Sequence, residues 1–88
     1  MAETFSTTDL GLASLLFAQG ISYVGLKQRP GDWKVEFQFT QPEDTRIPTI
    51  DACTAGWQDG TMKVGALAMW NASRKLAREV KRRERENS

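Results

Sequence analysis

The sequence predicts a small single-domain α+β fold of order α-β-β-α-α, an antiparallel hairpin packed against helices. Two runs of apolar residues at helical spacing flank a central segment. In that segment Trp33, Val35, Phe37 and Phe39 alternate with Lys34, Glu36, Gln38 and Thr40. Such period-two alternation marks a strand with one buried and one wet face. Just before it, Pro30-Gly31 is a turn dipeptide, with proline presetting φ and glycine accepting a positive one.

The first helix is expected over residues 7–19. Ser6 or Thr7 can cap it, and Asp9 places negative charge on its first turn. Leu10, Leu12, Ala13, Leu15, Leu16 and Phe17 then form an apolar face wide enough to be mostly buried. Gly20 stops the helix, where a left-handed residue ends many helices. Strands follow at 21–28 and 33–40. A two-stranded hairpin is marginal alone, so its apolar face is expected to pack on the first and last helices.

Residues 41–46 read as a polar connector. Ile47, Ile50, Cys53 and Trp57 recur at three- or four-residue spacing, predicting a short helix over 48–57 with Pro48 in its first turn. Gln58-Asp59-Gly60 breaks it, and Thr61 can cap a final helix over 62–84. Along that helix Met62, Ala66, Met69, Ser73, Leu76 and Val80 make one narrow apolar stripe. Residues 1–84 form the expected domain, with 85–88 a disordered or frayed basic tail.

The chain has 88 residues, 40% hydrophobic and 26% charged, an ordinary balance for a globular protein and a poor one for disorder. No apolar run approaches the ~20 residues of a membrane span. The first residues lack the basic and apolar regions of a secretory signal. Cys53 is the single cysteine. It excludes an intramolecular disulfide and fits a reducing compartment. The expected location is the cytoplasm of a bacterial host cell, or a virion.

Charge is laid out unevenly. Residues 1–60 carry four basic and eight acidic residues, a balance of −4; residues 61–88 carry eight basic and three acidic, a balance of +5. The total of +1 therefore hides a dipolar molecule.

Catalytic machinery is not visible. Histidine is absent, which removes histidine-dependent triads and the usual general base near neutral pH. One cysteine without histidine makes a poor zinc site. No glycine loop cradles phosphate, and no carboxylate pair sits on an apolar face. No catalytic residue, cofactor or metal is expected. Cys53, between Ile50 and Trp57, reads as a core cysteine. Trp33 and Trp57 are expected at or in the core. Trp70, off the Met62–Val80 stripe, is the most exposed of the three, although the core is favoured for it as well.

The candidate partner-binding residues are Arg74, Arg78, Arg82, Arg85 and Trp70. On a helix Arg74, Arg78 and Arg85 share one side, with Lys75, Lys81 and Arg82 spread round it. Basic residues in last turns also suit the helix dipole, and Glu79 can pair with Arg83, so a solvated helix end is the blander reading. Interspersed glutamates weaken a nucleic-acid reading.

The pattern Phe5-x-Thr7-x-Asp9-Leu10-x-Leu12-Ala13-x-Leu15-Leu16-x-Ala18-x-Gly20 precedes a strand, a hairpin turn and a strand ending Phe37-x-Phe39. A helix ending Trp57-x-x-Gly60 and a last helix with Arg74-x-Leu76 complete it. This resembles a family of small domains of unknown function in bacteria, phages and prophages, over nearly the whole chain. The family's usual middle helix is shorter and more polar, with a tyrosine near its end; here it reads Ala52-Cys53-Thr54-Ala55-Gly56-Trp57. The resemblance implies the α-β-β-α-α order and a phage or prophage context. It transfers no functional residue.

The expected function is that of a small accessory interaction protein binding a macromolecular partner, either as a virion component or as an inhibitor of a host protein. The partner is a protein or a second copy of the chain. Nucleic acid bound through the basic last helix is the alternative. Neither a membrane nor a small-molecule substrate is expected.

Overall fold

The computed structural model describes residues 4–28, 34–61 and 64–86. They form a small α+β domain whose elements run β1 (Thr4–Thr7), α1 (Leu10–Ala18), β2 (Ser22–Gln28), β3 (Val35–Thr40), α2 (Ile50–Asp59) and α3 (Ala66–Glu86). The order is β-α-β-β-α-α, because a strand precedes the first helix. The three strands make one antiparallel sheet of order β1-β3-β2. The expected turn at 29–32 and Trp33 lie outside the described residues, as does Met62.

β1 corrects the expectation for residues 6 and 7. Thr4-Phe5-Ser6-Thr7 is rich in β-branched and aromatic residues, and its half-buried positions alternate. It pairs along β3, Phe5 opposite Phe39 and Thr7 opposite Phe37. The N-cap of α1 is therefore Asp9, whose carboxylate accepts hydrogen bonds from the Gly11 and Leu12 amides at 2.8 and 3.3 Å. Thr7 supports the cap from outside, its hydroxyl accepting from the Asp9 amide at 3.1 Å.

The α1 helix is buried over five successive residues, Leu12 to Leu16. A helix apolar all round has no wet face and must be enclosed. The sheet, α2 and α3 enclose it. The buried polar Ser14 donates to the Leu10 carbonyl at 2.7 Å and accepts from the Ser73 hydroxyl of α3 at 2.9 Å. Gly20, at φ +92°, ends the helix as expected, and the Ile21 amide closes back on the Leu16 carbonyl at 3.0 Å.

The hairpin strands lie within a residue or two of their expected positions. Phe37 and Phe39 are buried, and Phe39 stands in a row across the sheet with Phe5 and Tyr23. The register of β2 shifts between Tyr23 and Gly25, so Val24 is an extra, exposed residue. This bulge lets Tyr23 and Leu26, three apart, both pack against the core. Gly25 takes φ +149° there, a conformation side chains disfavour.

The α2 helix starts two residues later than the spacing predicts. Thr49 is the N-cap, accepting from the Ala52 amide at 3.1 Å, and Pro48 precedes it. Gln41 clamps this entry: its amide nitrogen donates to the Pro48 carbonyl, and its amide oxygen accepts from Ile50 N–H at 2.7 Å. Gly60 ends α2 at φ +71°, and the Thr61 amide bonds back to the Gly56 carbonyl. Thr61 thus finishes α2 and does not cap α3, which begins at Ala66 and runs to Glu86.

Trp57 departs from its expected core position. The buried side of α2 is Ile50, Cys53 and Gly56, and Trp57, on the flank, is 39% exposed. Its indole lies over Gly11, where an added Cβ would stand 2.6 Å from the ring. The principal packing partner of α3 is α1, and the hairpin's apolar face meets α1.

Two predictions follow from this packing. Phe39→Ala is expected to destabilise the domain by ~3–5 kcal/mol, and Gln38→Ala, on the other face, by little; urea melts compare them, and equal losses would misplace the strand faces. Gly11→Ala forces the Trp57 ring aside and is expected to destabilise by about 1–3 kcal/mol. With Trp57→Ala already present, the same change is expected to cost at least ~1 kcal/mol less, since the ring is gone, alanine is the better helix former and the remaining close neighbour is the Asp9 carboxylate at 3.2 Å. Melts of the four proteins complete the cycle, and additive effects would show that the ring does not rest on Gly11.

Candidate functional site

The α3 helix spans 21 residues rich in alanine, leucine, arginine, lysine and glutamate, with no glycine or proline. Its inner side is Met69, Ala72, Ser73, Leu76 and Val80. Ala72 is buried and Ala66 exposed, so the stripe sits slightly round from the one the sequence predicts.

The opposite side carries Leu67, Trp70, Arg74, Arg78, Lys81 and Arg85, at spacings of three and four that keep one helical face. All six are exposed. Leu67 is 71% and Trp70 60% accessible, so Trp70 stands outside the core. The Arg74 guanidinium lies 5.9 Å from the Trp70 ring centre, within cation–π range. The face thus begins apolar and aromatic and becomes cationic toward the C-terminus, with no acidic residue among the six.

Arg78, Arg82 and Arg85 come together with Lys81 around an open groove of about 310 Å³. Arg74 does not line it; its side chain turns back over Trp70. Lys81 and Lys75 belong with the site more closely than the sequence reading places them. Lys81 lies three residues after Arg78 and four before Arg85, a spacing that already puts all three on one side. Glu79 pairs with Arg82 at 2.7 Å, rather than with Arg83. Both partners of this pair are substantially exposed, so it contributes at most ~1 kcal/mol.

Beside this groove a cleft of about 400 Å³ opens between α1, β2 and α3, lined by Phe17, Tyr23, Lys75, Leu76, Arg78, Glu79 and Arg82. Nothing local in the sequence brings Phe17 and Tyr23 to the arginines; the packing of α3 along α1 does. Lys75 Nζ lies 5.7 Å from the Phe17 ring centre. Phe17 meets Tyr23 edge-on at 6.0 Å, and Tyr23 tilts onto Phe39 at 5.4 Å. Burial raises the Tyr23 phenol above its ordinary value of 10.0, and Glu79 adds to this, while Arg82 and Arg83 oppose it.

Cys53 is fully buried, and desolvation pushes its thiol up, which disfavours the reactive thiolate. Among the described residues no three His, Cys, Asp or Glu side chains gather where they could hold a metal ion. No helix of the described residues is long and apolar enough to cross a membrane. The outer face of α3 offers positive charge, hydrogen-bond donors and apolar surface.

Compared with known proteins, the chain matches no family model, no curated protein and no solved structure.

The raised phenol has a consequence for stability. A group whose proton is held more tightly in the folded state stabilises the fold below its unfolded pKa and loses that contribution as pH rises through the folded one. Stability is therefore expected to fall as pH climbs above 10.0 through Tyr23. In Tyr23→Phe that part of the fall is expected to disappear, although the change from Cys53 remains. Thermal melts across alkaline pH compare the two proteins; identical pH profiles would contradict the assignment.

Proposed function

We propose that this chain is a small accessory interaction protein, encoded by a phage or prophage, that binds a macromolecular partner through the outer face of α3. The partner is a protein with an acidic and partly apolar surface, either a virion component or a host protein that the chain inhibits. The site of action is the bacterial cytoplasm or the virion. In this reading the chain is a binding protein without catalytic chemistry or a cofactor.

The observation that carries the reading is the pairing of Leu67 and Trp70 with Arg74, Arg78, Lys81 and Arg85 on one exposed face. Aromatic residues and arginine are the side chains that interfaces concentrate at their energetic centres. A partner's carboxylates would meet the cationic half, and its apolar side chains the Leu67–Trp70 half. Self-assembly is the second protein–protein form of this reading, since β1 and β2 are both edge strands.

Nucleic acid is the alternative, favoured by one observation: the described residues that line the open groove, Arg78, Lys81, Arg82 and Arg85, are all cationic. Trp70 would then serve as a stacking platform.

Capture from host or infected-cell lysate, with and without nuclease, separates the two. A nuclease-resistant partner is expected, and Trp70→Ala is expected to weaken its binding about thirty-fold, the ~2 kcal/mol of an interface hot spot. Changing Arg74, Arg78, Arg82 and Arg85 together to glutamine is expected to abolish capture while the domain still folds. Variants that bind as tightly as the parent would overturn the proposal. Fluorescence anisotropy with a labelled duplex and a single strand covers the alternative. Binding tighter than ~100 µM at physiological salt, with log affinity falling by ~0.9 per phosphate contact against log salt, would replace the protein reading with the nucleic-acid one.

A further inference from the structure

We infer that the cleft between α1, β2 and α3 is a ligand pocket for an anionic group, phosphate or carboxylate, carried on an aromatic or other apolar body. Its volume of about 400 Å³ falls within the ~300–1,000 Å³ of small-ligand sites. It is also built as such sites are, with an apolar floor and few polar groups.

Phe17, Tyr23 and Leu76 supply the floor. It is held in place from behind: Leu76 is 1% exposed, and the Tyr23 ring is fixed between Phe17 and Phe39. A floor of this kind takes a flat or apolar body without rearrangement.

The polar groups all come from one side of α3, positions 75, 78, 79 and 82. Three are cations and one is an acid. Arg82 already satisfies Glu79 at 2.7 Å. Among the described residues neither Lys75 nor Arg78 forms an ion pair, so two positive charges stand uncompensated at the opening. An arginine beside a lysine over an apolar floor suits an oxyanion better than a neutral ligand.

The Tyr23 hydroxyl points to the same ligand class. It is buried and has no hydrogen-bond partner among the described residues. Buried hydroxyls are seldom left in this state, since an unsatisfied one costs about 1–3 kcal/mol. Its ring forms part of the cleft wall, and its proton is held more tightly than usual. A phenol of that kind donates to an anionic oxygen. Arg82 and Glu79, whose side chains are substantially exposed, line the same cleft.

Tyr23 is the single tyrosine, which makes occupancy directly readable. Replacing it biosynthetically with 3-fluorotyrosine gives one fluorine resonance in the cleft wall. The full chain is titrated with phenyl phosphate, benzoate, inorganic phosphate and phenol. A saturable shift is expected with phenyl phosphate or benzoate, with inorganic phosphate and phenol at least ten-fold weaker. Lys75→Gln and Arg78→Gln are each expected to weaken binding about ten-fold, and Lys27→Gln, on exposed β2 surface, to leave it unchanged. Calorimetry on Tyr23→Phe is expected to show weaker binding to a protein that still folds. A short phosphotyrosine peptide identifies the source of the group. Tighter binding than phenyl phosphate assigns the pocket to a modified partner side chain, and equal binding to a free small molecule. The inference is overturned if neither aromatic anion saturates the resonance below ~10 mM. It is also overturned if phenol binds as well as the anions, or if Arg78→Gln has no effect.

Discussion

The structure depends on α1 having no wet side. Five buried residues in succession cover every direction round a helix, so this element cannot lie on the surface of anything. It must be surrounded, and a chain of 88 residues can surround only one such helix. The other elements are arranged to meet that requirement. The sheet covers one side through Phe37 and Phe39, α2 another through Ile50 and Cys53, and α3 the third through Ala72 and Leu76. The fully buried Ser14 side chain is satisfied at both ends, by its own helix and by Ser73. Gly11 carries the adaptation further, because only a missing side chain lets the Trp57 ring settle on the first turn of α1.

Enclosing α1 determines what is left for function. A helix that packs along one partner uses one stripe of its surface, and α3 uses Met69, Ala72, Ser73, Leu76 and Val80. Its outer side is then exposed, and basic residues are concentrated there. Among the described residues before α3, the acids stand elsewhere, at the α1 cap (Asp9), on β3 (Glu36), in the connector (Glu43, Asp44) and on α2 (Asp51, Asp59). The same packing brings α3 past Tyr23 and Phe17, which makes the cleft from residues distant in sequence.

Much of this is legible in the residues. The alternation through Val35–Thr40 survives as β3, Gly20 and Gly60 end their helices with positive φ, and Cys53 is buried. These features have local causes. What was missed has non-local ones. The four residues of β1 look like a helix entry, since serine and threonine cap helices as readily as they line strands; only pairing with β3, more than thirty residues away, decides between them. Trp57 has core spacing, yet Gly56 takes the buried position beside it and lets α2 close on α1. In the site, the four cationic positions on the outer face of α3, Arg74, Arg78, Lys81 and Arg85, could be read from spacing alone. The cleft could not, because Tyr23 reaches it through a bulge at Gly25 that no alternation pattern announces.

If α1 is the enclosed centre of the fold, α1 and β3 are the parts that open last. Native-state hydrogen exchange, residue by residue, measures this most directly. Amides of Leu15, Leu16 and Phe39 are expected to exchange only through global unfolding, at the free energy of the urea transition. Amides in the last turns of α3, beyond Val80, are expected to open locally at lower free energy. If α1 instead exchanged through local opening while α3 stayed protected to its end, the enclosed helix would not be the centre on which the fold is built.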